Sequence, residues 1–208
     1  ARRCRVFAQL AAGDGSTIPE TNGEGRIMDE MLEIGPGAAG EADELLALYA
    51  AVQEAVAGTD NDPQWIIGEH PSRGQLTRAA EAGELFVARA GRRLAAAFIL
   101  DREGAPGYGE VPWRVEAVAG EYGVVHLLAV HPDFRGRGLA RYLMDAAEQA
   151  ARERGLKALR LDTLVDNYGA QRTYERLGFT RFGPVHLTYG TYIDTEAPRF
   201  VMYERAVR

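Results

Sequence analysis

Val124 to Gly155, VVHLLAVHPDFRGRGLARYLMDAAEQAARERG, is the stretch from which the fold can be read. It opens with a mostly apolar, β-favouring run, Val124 to Val130, and turns through His131-Pro132-Asp133. A glycine pair follows in Arg135-Gly136-Arg137-Gly138. Beyond it Leu139, Leu143, Ala147, Ala150 and Ala151 recur at helical spacing, with charges on the other face. The order is strand, glycine loop, helix. Gly136 and Gly138 allow a tight turn that brings backbone N–H groups close to a ligand, and the helix behind them adds the positive end of its dipole. The natural occupant of such a loop is a phosphate or pyrophosphate.

Spacing separates the glycine-loop families. A nucleotide P-loop needs Lys-Ser/Thr after its second glycine, whereas Gly138 is followed by Leu139-Ala140. A G-x-G-x-x-G dinucleotide loop starting at Gly136 meets Arg141 in its last place. Arg-x-x-Gly-x-Ala, from Arg135 to Ala140 within LAVHPDFRGRGLA, does fit. It resembles the acetyl-CoA pyrophosphate loop of the GNAT superfamily of N-acetyltransferases.

A second segment points the same way. Leu159 to Thr163 reads as a short buried strand, Asn167 opens a helix, and Gly178 stands just past its last turn. In the family the matching helix carries an Asn that bonds the pantetheine arm and a Tyr near the thioester sulfur; these correspond to Asn167 and Tyr174. The resemblance runs from about Leu45 to Glu204 and is closest from Val124 to Phe179. It implies an α/β GNAT acyl-CoA N-acyltransferase fold, with a central mixed, strongly twisted sheet flanked by helices.

Composition sets the bounds. A chain of 208 residues with 46% hydrophobic content can bury one core, and a net charge of −6 argues against nucleic acid or an anionic membrane as partner. That acidity suits a cationic acceptor, or serves solubility alone. Cys4 is the single cysteine, so neither a disulfide framework nor a thiolate metal cluster is expected, and no metal is. No apolar run approaches the roughly 18 residues of a membrane helix, and no apolar signal core follows the opening Arg-Arg, so the expected location is cytoplasmic. Relatives commonly dimerise, which leaves a homodimer open.

Residues 1–27 are rich in Gly, Thr and charge without periodicity and are expected to be a flexible N-terminal extension; residues 28–208 form the domain, with a first strand starting at Met28. Leu45, Leu46, Tyr49, Val52 and Val56 mark a helix over 41–57, ended by Gly58. In Thr59 to Pro71, Trp65 beside Asp60, Asp62 and Glu69 forms either a cation-binding wall or a solvated loop with one aromatic anchor. Ser72 is the N-cap of a second short helix. Leu85 to Ala90 and Leu94 to Leu100 form a hairpin through Gly91-Arg92-Arg93. The long connection from Asp101 to Gly123 either presents Tyr108 and Trp113 to an acceptor or holds a short helix near 113–118, in which case these aromatics pin the loop. Beyond Phe179 come a strand, a loop with His186, Tyr189 and Tyr192, and a last strand from Arg199 to Tyr203; Tyr189 joins the candidate acceptor contacts.

Acetyl transfer to an amine requires a polarised carbonyl, a deprotonated amine and a departing thiolate. An amine of pKa about 10.4 is neutral only about one part in 2,500 at pH 7, roughly 4.6 kcal/mol against reaction, while a thiolate of pKa about 8.5 leaves readily. Deprotonation is therefore the larger demand. His126 is the candidate base, expected on one strand face with Leu128 and Val130, and arylalkylamine N-acetyltransferases carry a His at the matching place. Glu121 or a loop carboxylate is the substitute, and His131 is a loop residue.

The resemblance gives Tyr174 the departing sulfur. It gives the backbone of Leu128, Ala129 and Val130 the pantetheine amides and the carbonyl oxygen, and Arg135, Gly136, Arg137, Gly138, Leu139 and Ala140 the phosphates. The function implied is transfer of the acetyl group of acetyl-CoA to a primary amine, of a small molecule or a peptide, by direct attack in a ternary complex. A non-catalytic acyl-CoA sensing module and a protein N-terminal or lysine acetyltransferase are the alternatives.

Overall fold

The computed structural model describes residues 32–188 and 198–208. Residues 1–31, which include the expected extension, and residues 189–197, which include Tyr189 and Tyr192, lie outside the described residues. The elements in chain order are β1 (Leu32–Pro36), α1 (Ala42–Val56), α2 (Arg73–Glu81), β2 (Leu85–Ala90), β3 (Arg93–Asp101), β4 (Tyr122–Val130), α3 (Leu139–Glu153), β5 (Ala158–Leu164), α4 (Tyr168–Arg176), β6 (Thr180–Val185) and β7 (Phe200–Ala206). The strands form one mixed sheet in the order β1-β2-β3-β4-β5-β7-β6; β4 and β5 pair parallel and every other neighbouring pair antiparallel.

Helices cover both faces, because the buried strands are apolar on both sides. α1 and α2 put Leu45, Tyr49, Val52 and Leu76 against Val87, Ala97, Ile99, Leu127 and Ala129. On the opposite face α3 lays Leu139, Leu143, Met144, Ala147 and Ala151 over Phe98, Leu100 and Val125, with Leu177 after α4. The glycine-loop helix thus buries the stripe its spacing predicts, with Met144 added. Ser72 Oγ accepts from the N–H of Gln75, the expected cap of α2.

The parallel pair is the unusual seam. Its register is Tyr122↔Ala158, Gly123↔Leu159 and Val124↔Arg160, and there it stops, although β4 runs on to Val130 and β5 to Leu164. The two strands part beyond Val124, and the sheet opens between them. On its other side β4 remains paired with β3, but Ala97 faces Ala129 while Ile99 faces His126, so two residues of β4 stand opposite one of β3. This is a β-bulge, and Leu127 takes φ +51° within it. Tyr49, fully buried on α1, donates its hydroxyl to the Leu127 carbonyl at 3.0 Å.

The long connection after β3 has its short 3₁₀ turn at Tyr108–Glu110, not at 113–118. Tyr108 is buried with Val124, Leu164, Phe200 and Met202, with Trp113 packed alongside. Trp113 Nε1 donates to the Tyr108 carbonyl at 2.8 Å. The two aromatics pin this connection.

Candidate active site

The splay of β4 and β5 opens a cleft of about 360 Å³. One wall is Val125 to Val130 of β4, the other Asp162 to Leu164 of β5 with Asn167, Gly169, Thr173 and Tyr174 around α4. Trp65 and His70, from the connection between α1 and α2, and Arg135 and Ala140, from the glycine loop, complete the lining. Sequence-predicted residues from four separate segments meet here.

At one end is the glycine loop. His131 Nδ1 accepts the N–H of Asp133 and starts a 3₁₀ turn over Pro132–Phe134, after which Gly136 and Gly138 both take φ +77°. A side chain at either place would be strained, since the left-handed region costs roughly 1–2 kcal/mol for an L-residue. Among the described residues, the N–H groups of Gly136, Arg137, Gly138, Leu139 and Ala140 have no acceptor. Five successive free donors at the start of a 15-residue helix make a cradle for an anion. Leu139 is buried in the core, so its contribution there is its backbone. Arg135 borders the cleft, and partial burial lowers its pKa from the ordinary guanidinium value. Arg137 turns aside: Nη2 donates to the Asp133 carbonyl at 3.1 Å, and the guanidinium lies over the Phe134 ring at 5.4 Å.

In the middle stand Asn167 and Tyr174. Asn167 Oδ1 caps α4 by accepting the Ala170 N–H at 3.1 Å, which commits the acceptor half of the amide and leaves Nδ2 without a partner among the described residues. Tyr174 packs its ring against Tyr203 and Phe179, and no described residue bonds its hydroxyl. Burial first, then the charges of Asp162 and Tyr203, raise its pKa above the ordinary phenol value. It stays protonated, a donor into the cleft.

At the other end is His126. It does not share a face with Leu128 and Val130 as simple alternation predicts: those two pack beneath α3 together with Val125, and the bulge places His126 on the opposite side. Its Nε2 lies 3.2 Å from Asp101 Oδ1 and 3.3 Å from the Glu103 carbonyl. Burial works to lower its pKa, but the hydrogen bond and charge of Asp101, with Asp162 and the Glu103 carbonyl, outweigh it and leave the imidazole raised. His70 moves the other way, lowered by burial and by the neighbouring His126 against the pull of Asp162 and a bond with Gln75. Asp162 itself accepts the Tyr108 hydroxyl at 2.6 Å.

Other expected contacts fall elsewhere. Tyr108 and Trp113 are not in the lining. Trp65 is, but two of its three carboxylate neighbours are occupied: Asp62 binds Gln53 Nε2 and the N–H groups of Gly58 and Gln64, and Asp60 pairs with Arg172 at 2.6 Å. The loop is an internally bonded strap, and no cation-binding wall forms from Asp60 and Asp62. The strap lies so close to α4 that a Cβ on Gly169 would fall 1.4 Å from Asn61 Oδ1. Glu121 sits at the far end of β4, bonded to Lys157 Nζ at 2.6 Å and away from the cleft. Sequence reasoning did not single out His70, Asp101 or Asp162. The signal for the last two was a carboxylate ending or interrupting an apolar strand.

Comparison with known proteins agrees with this geometry. The sequence model of the acetyltransferase (GNAT) family matches residues 49–179. The mycothiol acetyltransferase of Rhodococcus opacus is 33% identical over 167 residues, covering 74% of this chain and 53% of the relative. The N-alpha-acetyltransferase 30 of Schizosaccharomyces pombe is 37% identical over 82 residues, 39% of this chain and 53% of the relative. The chain thus spans about half the length of these curated relatives. A GNAT-family acetyltransferase from Streptococcus agalactiae superposes with a TM-score of 0.68 at 19% identity, covering 84% of this chain and 95% of that one. A Salmonella typhimurium protein solved with its cofactor acetyl-CoA gives 0.57 at 15% identity, covering 85% and 94%. At such identities the likeness is one of fold.

Proposed function

The chain belongs to the GNAT acetyltransferase family, and from that premise we propose that it transfers the acetyl group of acetyl-CoA to the nitrogen of a primary amine by direct attack in a ternary complex. The observation that carries this reading is the polarity of the cleft. Five free N–H groups and Arg135 stand at one end, and Asp162 with the Asp101–His126 pair at the other. A long donor with an anionic tail and a cationic acceptor suit such a cleft only in one orientation.

In this reading the Gly136–Ala140 N–H groups and Arg135 hold the pyrophosphate. The unpaired edge of β4 from Leu128 to Val130 and Asn167 Nδ2 hold the pantetheine arm. Trp65 borders the acceptor. His126 takes one proton from the bound ammonium. The nitrogen lone pair so freed bonds to the acyl carbon as the carbon–sulfur bond breaks with its electron pair leaving on sulfur, and the second proton of that nitrogen passes to the departing thiolate. Tyr174, a weaker acid than the thiol, stabilises the thiolate by a hydrogen bond without giving up its proton.

Similarity to mycothiol acetyltransferases over 74% of the chain favours a small-molecule amine. The shorter match to an N-alpha-acetyltransferase supports a peptide N-terminus as the second reading. The test is competition: thiol release from acetyl-CoA with a pooled amine panel, challenged with peptides bearing free N-termini. Inhibition by amines of peptide turnover, with faster amine turnover, supports the first reading; peptides as the better substrates support the second. Acetyl-CoA binding without turnover of any acceptor would point to a sensing module.

A further inference from the structure

His126 has two ring nitrogens that could take the amine proton, and their surroundings differ. Nε2 faces two oxygen atoms, Asp101 Oδ1 and the Glu103 carbonyl, at 3.2 and 3.3 Å. Both accept hydrogen bonds and neither donates, so both are satisfied only if Nε2 carries the hydrogen. In the neutral ring Nδ1 is then the bare lone pair, and among the described residues nothing bonds to it. His126 lines the cleft.

Asp101 is built to hold this arrangement. It ends β3, its backbone registered opposite Val124, immediately before β4 departs from β5. Its Oδ1 also accepts the N–H of Glu103 at 3.0 Å, which folds the chain back so that the Glu103 carbonyl reaches the same ring nitrogen. The bulge at Leu127 supplies the other half by turning His126 away from the α3 face.

We propose that Asp101 is the positioning residue of the reaction, fixing His126 as the Nε2–H tautomer so that Nδ1 receives the proton of the attacking amine. This rests on the proposed role of His126. The logic is that of any base held by a third group: the carboxylate selects the tautomer and stabilises the imidazolium once formed. The groups that face His126 are Asp101 and Glu103 at and after the end of β3, Asp162 on β5, His70 on the strap side and Glu84 at the start of β2. Asp101 is the carboxylate bonded directly to the ring.

The experiment combines ¹⁵N NMR of the imidazoles in the whole chain with kcat against pH for the wild type, Asp101→Asn and His126→Ala. The expected spectrum at alkaline pH shows His126 as the Nε2–H tautomer. Asp101→Asn is expected to lower kcat about 10- to 100-fold, part of the range for a general base, and to move the acidic limb of the profile to lower pH. The KM for acetyl-CoA stays within about twofold, because the donor cradle is distant from the ring. An Nδ1–H tautomer in the wild type overturns the proposal. So does a His126→Ala enzyme that has lost activity beside an Asp101→Asn enzyme with unchanged kcat and limb. Unchanged kcat in both variants removes the role of His126 itself, and the proposal with it.

Discussion

The Tyr49 hydroxyl and the Leu127 carbonyl meet at 3.0 Å across 78 residues of chain, and this bond ties α1 to the one place where β4 leaves regular alternation. Tyr49 is fully buried, so the bond is shielded from water. Replacing the hydroxyl strands a carbonyl at a bulge whose shape decides where His126 points. Tyr49→Phe is expected to cost about 1–2 kcal/mol in denaturant unfolding. It should also lower kcat while leaving the KM for acetyl-CoA nearly unchanged. Steady-state kinetics beside an unfolding curve check both.

Arg160 and Glu204 form a buried ion pair between β5 and β7, with Nε 3.1 Å from Oε1. Glu204 Oε2 also accepts the N–H groups of Arg114 and Val115, and the Arg160 guanidinium lies 4.4 Å from the Trp113 ring centroid and 4.0 Å from that of Tyr122. The pair therefore anchors the connection that carries Tyr108, and Tyr108 anchors Asp162. Glu204→Ala leaves a buried cation and two N–H groups unmatched, and a loss of about 3–5 kcal/mol is expected in urea unfolding.

His126 and His70 give opposite signs to the pH dependence of stability. The folded pKa of His126 lies above its ordinary 6.5, so its contribution is complete below 6.5 and is lost as pH rises through the folded value. The folded pKa of His70 lies below 6.5, so its contribution is complete above 6.5 and is lost as pH falls through its folded value. Melting temperatures of His126→Asn against wild type should thus differ in slope above pH 6.5, with the decline reduced in the variant. His70→Asn should differ below it. Parallel profiles on both sides would exclude these couplings.

Tyr174→Phe removes a hydroxyl that no described residue bonds and keeps the ring in place between Tyr203 and Phe179. Stability should hold. Loss of a hydrogen bond to a charged sulfur is worth about 1.5–3 kcal/mol, roughly 10- to 150-fold in kcat. Donors with a better thiolate leaving group should narrow the gap between the variant and wild type.

The glycine loop, α3 and the Asn167 cap were legible because each is local: the turn, the helical stripe and the cap are all set within a few residues. The face of His126 was not. Alternation along β4 predicts it beside Leu128 and Val130, and only the pairing with β3, which Tyr49 on α1 reinforces, inserts the extra residue that turns it. The sequence leaves Tyr108 and Trp113 open between acceptor contacts and loop anchors for the same reason, since the charges they cover and meet, Arg160 and Asp162, lie about 50 residues along the chain. Asp62 resembled an acceptor contact until its bonds to Gln53, Gly58 and Gln64 accounted for it.

The central claim, direct transfer from acetyl-CoA to an amine within this cleft, is tested most directly by pre-steady-state mixing of enzyme with isotopically labelled acetyl-CoA and the best amine of the panel, followed by mass spectrometry. The expected result is one thiol released per acetylated amine, an amine-dependent first turnover and no label on the protein. Label accumulating on the enzyme before amine is added, or thiol released without acetylated amine, would contradict it.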